Sequence, residues 1–251
     1  MIEKLGVQLY TVREFLNDEE QVRDTFRKLK SLGYDQAQTA GCKIPYEAFG
    51  RIAREEGIEI VGTHDNFDMM VNDFDQAYHN HQLLGTNIMG IGGFFGKTPE
   101  ETAELIRKAN AVGDKIAAHG GRFTYHNHSH EFIRMENGKR MIDMLVEGLN
   151  PATTSFVLDT YWVQHGGGDV RHWIESLAGR IDILHLKDMG KNRETQFITE
   201  IGHGNLYWEG ILESAEKAGV KYYVVEQDTC PGDPFESLKF SSEYLHKHFM
   251  K

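Results

Sequence analysis

The sequence predicts a single-domain α/β fold, a (β/α)8 TIM barrel over residues 1–251. Three observations carry that prediction. The chain has 251 residues, 40% of them hydrophobic, which suits one large core and the usual length of such a barrel. A charged amphipathic segment ending in Gly, followed by a short β-rich run, recurs at 26–33 with 34–38, 51–57 with 58–63, 78–85 with 87–91, 106–121 with 122–127 and 211–219 with 220–226. Eight such runs can be counted, with starts about 24 to 40 residues apart, room for a strand, a crossover helix and two loops.

In order, strands are expected at 5–10, 34–38, 58–63, 87–91, 122–127, 155–159, 181–186 and 221–226. Each is short and apolar, the pattern of a parallel strand buried on both faces. Gly33, Gly57, Gly85, Gly121 and Gly219 read as helix stops, because glycine accepts the left-handed backbone that ends a helix. An open doubly wound sheet uses the same units, but no Gly-x-Gly-x-x-Gly follows the first strand. No Pro/Gly/Ser-rich linker divides the chain.

Composition narrows the function. The net charge of −11 disfavours nucleic acid and anionic membrane surfaces, which call for a basic patch. Two cysteines, Cys42 and Cys230, make neither a disulfide framework nor a Cys-rich zinc module, so a reducing cytoplasm is the expected compartment. No apolar run reaches the roughly 20 residues of a membrane span. Met1-Ile2-Glu3-Lys4 leads straight into a strand-like run with no leader pattern. The thirteen histidines are in excess, so their positions matter.

In such a barrel chemistry sits at the C-terminal ends of the strands. Polar residues gather there: Gln8 and Tyr10 on the first strand, Thr63-His64-Asp65-Asn66 on the third, and His126-Asn127-His128-Ser129-His130-Glu131 on the fifth. Asp159-Thr160-Tyr161-Trp162 ends the sixth, His185-Leu186-Lys187-Asp188 the seventh and Glu226-Gln227-Asp228 the eighth. Side chains alternate along a strand, so Val157 shares a face with Asp159, Ile183 with His185 and Lys187, and Val224 with Glu226. Asp159, His185 and Glu226 therefore point into one barrel mouth from neighbouring strands. Two carboxylates buried together need a counter-charge, and a divalent cation supplies it. A nitrogen and oxygen donor set without thiolate suits Mn²⁺, Mg²⁺, Co²⁺ or Zn²⁺.

Phe156-Val157-Leu158-Asp159, His185-Leu186-Lys187-Asp188 and Val225-Glu226 resemble the sugar phosphate isomerase/epimerase family, as do Gly6-Val7-Gln8-Leu9-Tyr10 and Gly62-Thr63-His64. That family lies within the xylose isomerase-like TIM barrel superfamily, which also holds endonuclease IV. The resemblance covers essentially the whole chain. It implies one divalent metal ion, Mn²⁺ ahead of Mg²⁺, Co²⁺ or Zn²⁺, held by Glu, Asp, His and Glu on strands five to eight. It implies chemistry beside the carbonyl of a small sugar or cyclitol, and homo-oligomers are common among the members.

Strand five departs from this pattern. His126-Asn127-His128 stands where a Glu followed by Asn-His is usual, so His126 is the expected fourth ligand, with Glu131 as the alternative if the chain turns back. Epimerases of the family use two metal-bound glutamates as paired bases. Glu226 remains here as one base, and its partner is missing at the matched position. The expected activity is that of a metal-dependent isomerase or epimerase of a small sugar or keto-sugar, with a dehydratase of the inosose dehydratase type as the alternative. Each begins with proton abstraction beside a carbonyl.

His64 reads as a partner for a substrate hydroxyl or as a structural histidine, and His128 and Gln8 as mouth residues. Lys187 either neutralises an enediolate oxygen or pairs with Asp188 or Asp228, and Trp162 stacks on the sugar or packs. Phe94-Phe95 form an apolar wall or an oligomer contact. Gly202-His203-Gly204 is a short, weak candidate for an anion nest, so phosphorylated substrates are not indicated. An endonuclease IV-like phosphodiesterase needs an extra histidine after strand four, where this chain has Met89-Gly90-Ile91-Gly92-Gly93, and the charge opposes DNA. A non-catalytic sugar-binding barrel has no use for Asp159, His185 and Glu226 together.

Overall fold

The computed structural model describes residues 2–250. Seven barrel strands come first: β1 (Gly6–Gln8), β2 (Gln36–Ala40), β3 (Glu59–His64), β4 (Ile88–Ile91), β5 (Arg122–His126), β6 (Thr154–Asp159) and β7 (Ile181–Leu186). A small antiparallel hairpin of β8 (Asp188–Lys191) and β9 (Gln196–Thr199) precedes the eighth barrel strand, β10 (Tyr222–Val225). The helices are α1 (Glu19–Ser31), α2 (Tyr46–Glu55), α3 (Phe67–Asn72), α4 (Phe74–Leu84), α5 (Pro99–Ala117), α6 (Met141–Gly148), α7 (Thr160–His165), α8 (Val170–Ser176), α9 (Trp208–Ala218) and α10 (Pro234–His248).

The barrel strands are parallel, in the order β3-β2-β1-β10-β7-β6-β5-β4. The ring closes between β3 and β4 through single contacts: the Asp65 N–H donates to the Gly90 carbonyl at 2.8 Å. Gly90 is needed there, since a Cβ would collide with Thr124 Oγ1 and the Thr63 carbonyl. The expected (β/α)8 barrel is thus the fold, as one domain.

Two cores stabilise it. The larger lies between the strands and the outer helices. The smaller, Val61, Ile88, Val157, Ile183 and Val224, fills the inside of the barrel. Val157, Ile183 and Val224 each sit two residues before a polar residue on the same face. The barrel floor is therefore dry, and the residues two positions on form its mouth. Helix ends follow local chemistry. Thr98 and Glu101 form a reciprocal capping box at the start of α5, with Pro99 in the first turn.

Some boundaries differ from the sequence expectation. The first strand stops at Gln8 rather than residue 10, because the Gln8 side chain accepts the Tyr10 N–H and turns the chain into a 3₁₀ segment at Leu9–Phe15. The second strand starts at Gln36 and extends to Ala40, which adds Thr39 and Ala40 to it. The stop after α5 is Gly120, at φ 76°, and not Gly121. Among the described residues no helix is long and apolar enough to cross a membrane.

Candidate active site

Four side chains converge at the C-terminal end of the barrel. His126 ends β5, Asp159 ends β6, His185 lies near the end of β7, and Glu226 follows β10. These strands are neighbours, with Asp159 paired to His185 and His185 to Val224. The four offer ligand atoms that lie within 4.8 Å of one another, and all four residues are buried. Asp159 Oδ2 is 3.4 Å from His126 Nε2 and 3.7 Å from His185 Nδ1. Glu226 Oε2 is 3.0 Å from His185 Nδ1.

The hydrogen bonds behind these groups aim them. Asp159 Oδ1 accepts the Trp162 N–H at 2.9 Å and caps α7, which leaves Oδ2 for the cluster. Asn127 Oδ1 accepts the Asp159 N–H at 3.0 Å. His126 Nδ1 is 3.1 Å from the Gly92 carbonyl, so it carries the proton and Nε2 keeps its lone pair. His185 Nε2 donates in the same way to Gln38 Oε1 at 2.5 Å, leaving Nδ1 as the open nitrogen.

Lys187 is fully buried, and its Nζ lies 2.8 Å from Asp159 Oδ2, 2.7 Å from Glu226 Oε2 and 2.7 Å from Asp228 Oδ2. Burial alone would depress the lysine, but the three carboxylates outweigh it and hold Lys187 above its usual range, as the ammonium. Burial also works against the charge on Asp159 and Glu226. Lys187 and the neighbouring imidazoles overcome that, and both carboxylates stay well below their usual values. For His185, Glu226 and Asp159 outweigh burial and raise it.

This donor set fits a divalent cation. Three carboxylates stand against one ammonium, an excess of acidic groups that a cation would balance. His185 Nδ1 and Glu226 Oε2 are buried and make no well-aligned hydrogen bond. The carboxylates draw positive charge toward Nδ1. Two nitrogens and two carboxylates without sulfur suit a borderline or hard metal of +2 charge.

A cavity of about 370 Å³ opens above the cluster, lined by Tyr10, Ala40, His64, Asp65, Gly92, Phe95, His126, His128, Glu226 and Asp228. That is within the size range of small-molecule sites. His64 stacks on His126 with ring centres 4.8 Å apart. Burial, and then His126 and His185, hold His64 well below its usual value, so it is neutral. His128 is pushed down to about 3 by burial and by His126. Phe95 stands at the rim, 74% exposed, while Phe94 packs against the core.

Other expected residues lie further back. Gln8 is fully buried behind His64 and Gln38, hydrogen-bonded to both. Trp162 lies beside His128, ring centres 5.4 Å apart, with Lys187 Nζ 5.3 Å from its own ring centre. Glu131 turns away from the four-residue group. Its Oε1 accepts from the Tyr125 hydroxyl at 2.9 Å and its Oε2 from the His128 N–H at 2.8 Å. Asp188 does not pair with Lys187. It accepts the N–H groups of Met189, Gly202, Gly204 and Leu206 and the Trp208 indole. The glycine nest at Gly202-His203-Gly204 is therefore filled by the chain's own carboxylate.

Gln38 and Tyr46 are not among the residues the sequence points to, and Asp65 appears there only within the polar run that ends the third strand. Gln38 alternates with Gln36 on one face at the end of the second strand, a period-two signal that would have found it. Tyr46 starts a helix, and its link to Asp65 is visible only in three dimensions.

Comparison with known proteins agrees with this fold. A family model described as xylose isomerase-like TIM barrel matches residues 26–247. An inosose dehydratase of Geobacillus thermodenitrificans is 29% identical over 168 residues, 60% of this chain and 55% of that protein. An inosose dehydratase of Bacillus licheniformis is 24% identical over 194 residues, 70% of this chain and 63% of that protein. The chain thus aligns with between about half and two thirds of the length of these curated relatives. The crystal structure of a sugar phosphate isomerase/epimerase from Parabacteroides distasonis superposes with a TM-score of 0.84 at 24% identity, covering 99% of each chain. The chain belongs to the xylose isomerase-like TIM barrel family.

Proposed function

We propose that this protein is a divalent-metal-dependent enzyme that removes a proton beside the carbonyl of a small, uncharged sugar or cyclitol. The observation that carries the reading is the buried convergence of His126, Asp159, His185 and Glu226 with Lys187 touching two of them. His126, Asp159, His185 and Glu226 would hold the metal, with Mn²⁺ the first choice from the resemblance. A divalent cation held there supplies electrophilic polarisation of a carbonyl oxygen.

The chain's own residues do the rest. Glu226 is ionised, lines the cavity and takes the proton from the carbon next to the carbonyl. Lys187 is an ammonium 2.7 Å from Glu226 and steadies its carboxylate from behind. In a dehydration, the hydroxyl on the following carbon takes this proton from Glu226 and departs as water as the C–H pair becomes the C=C bond, which restores Glu226. His64 and His128 contact the substrate from the opposite wall, Phe95 covers its rim, and Trp162 backs His128 and Lys187. Gln8 acts from behind by orienting His64.

Elimination of the inosose dehydratase type is the better supported branch, since one group that takes and returns a proton suffices for it, and the two curated relatives described above carry that name. Isomerisation of a keto-sugar is the second reading, because one base also suffices for it. Symmetric two-base epimerisation lacks a second carboxylate where His126 stands. A phosphodiesterase draws no support from a cavity with no Lys or Arg in its lining. Incubation of the metal-loaded protein with 2-keto-myo-inositol or D-fructose in D₂O tests the reading. Deuterium beside the carbonyl, or loss of water from the cyclitol, is expected for the native protein and not for Glu226→Gln. Exchange that survives Glu226→Gln would remove Glu226 as the base.

A further inference from the structure

The cavity has a second polar wall that the proton chemistry does not use. His64 ends β3, Asp65 follows it, and both line the cavity with Tyr10 and Ala40. The tautomer of His64 is set from behind. The Tyr10 N–H donates to Gln8 Oε1 at 3.2 Å, which fixes the Gln8 amide. The Gln8 NH₂ is then free to donate to Gln38 Oε1 at 3.1 Å and to His64 Nδ1 at 3.3 Å. His64 Nδ1 therefore accepts, and Nε2 carries the proton. That Nε2 is buried and has no partner among the described residues. It is a donor waiting for an acceptor on a ligand.

Asp65 is its complement. The Tyr46 hydroxyl donates to Asp65 Oδ2 at 2.6 Å, and the Asn66 N–H donates to Oδ1 at 2.7 Å. Burial, and then Asp65, hold Tyr46 above the usual phenol range, so it stays a donor. Each Asp65 oxygen keeps a further lone pair. A fixed donor and a fixed acceptor thus stand on consecutive residues of one wall. The rest of the lining offers an anion nothing. It holds two further acids, Glu226 and Asp228, and no Lys or Arg. Lys187 is already engaged by three carboxylates. A phosphate needs cations or free backbone N–H groups, and the one candidate nest is filled by Asp188.

We propose that His64 and Asp65 form a hydroxyl-reading subsite that selects uncharged polyhydroxylated ketones or aldehydes and rejects their phosphate esters. Tyr46 and Gln8 are its positioning residues. The subsite rests on the proton-abstraction reading above, because it grips the hydroxylated part of the same substrate.

The test uses the metal-loaded full chain with 2-keto-myo-inositol, D-fructose and D-fructose 6-phosphate as probes. Calorimetry of the native protein should show the better neutral probe bound at least about tenfold more tightly than the ester, since a buried charge without a partner is strongly disfavoured. Asp65→Asn should raise KM for that probe about tenfold or more while kcat stays within about threefold, as expected when a binding contact to a charged acceptor is lost. Metal content and Tm should match the native protein. Tyr46→Phe, which leaves Asp65 in place, should raise KM in the same direction by less. An unchanged KM in Asp65→Asn, or native preference for the ester, overturns the subsite and leaves proton abstraction standing. No deuterium exchange by the native protein with any probe overturns both.

Discussion

Val157, Ile183 and Val224 occupy the same strand faces as Asp159, His185 and Glu226, two residues closer to the strand starts. On the floor the apolar side chains satisfy one another, and nothing from outside is needed. At the mouth, three carboxylates meet one ammonium, and two buried atoms, His185 Nδ1 and Glu226 Oε2, lack a well-aligned partner. The same backbone thus delivers a self-sufficient layer and an electrically incomplete one. Incompleteness is what a site for a cation and a substrate requires, and the floor supplies the stability that lets the mouth keep it.

Changes at each level should separate the two. Glu226→Gln, at the mouth, should cut turnover by about 10³-fold or more and move Tm less than a floor cavity does, because it removes the proposed base and one proposed ligand charge but keeps the shape. Rate and melting measurements on one sample check both parts. Ile183→Ala, on the floor, should do the reverse. It should cost about 2–5 kcal/mol of folding stability through the cavity it leaves. Denaturant unfolding reads this, and a retained metal stoichiometry in the folded fraction would show that the floor acts only as support. Gln38→Leu links the layers. It strands the His185 Nε2–H and should weaken metal affinity by about 10- to 100-fold. Competition with a chelating dye measures it, and Gln38→Glu, which keeps an acceptor, should recover most of the loss. Thr98→Ala, far from both layers, should cost only about 1 kcal/mol through the lost cap of α5 and leave metal affinity unchanged.

Period two made much of the mouth legible in the sequence. Asp159, His185 and Glu226 could be placed on one face because Val157, Ile183 and Val224 marked the buried register. His126 follows from the family resemblance, whose pattern has a Glu at that position of the fifth strand. Gln38 closes the expected second strand and shares a face with Gln36, but it is passed over because a neutral amide carries no charge signal. The engagement of Glu131 by Tyr125, and of Asp188 by the loop before α9, depends on chain segments that fold back together. The hairpin of β8 and β9 was missed because Gln196-Phe197-Ile198-Thr199 is a short strand with one partner and an exposed surface.

The central claim is that the four converging residues hold one divalent cation. Metal analysis after reconstitution with Mn²⁺ and removal of excess, on the native protein and on Asp159→Ala and His185→Ala variants verified as folded, tests it most directly. About one ion per native chain, lost in both variants, is the expected result. A native protein that retains no divalent ion after reconstitution would contradict the account.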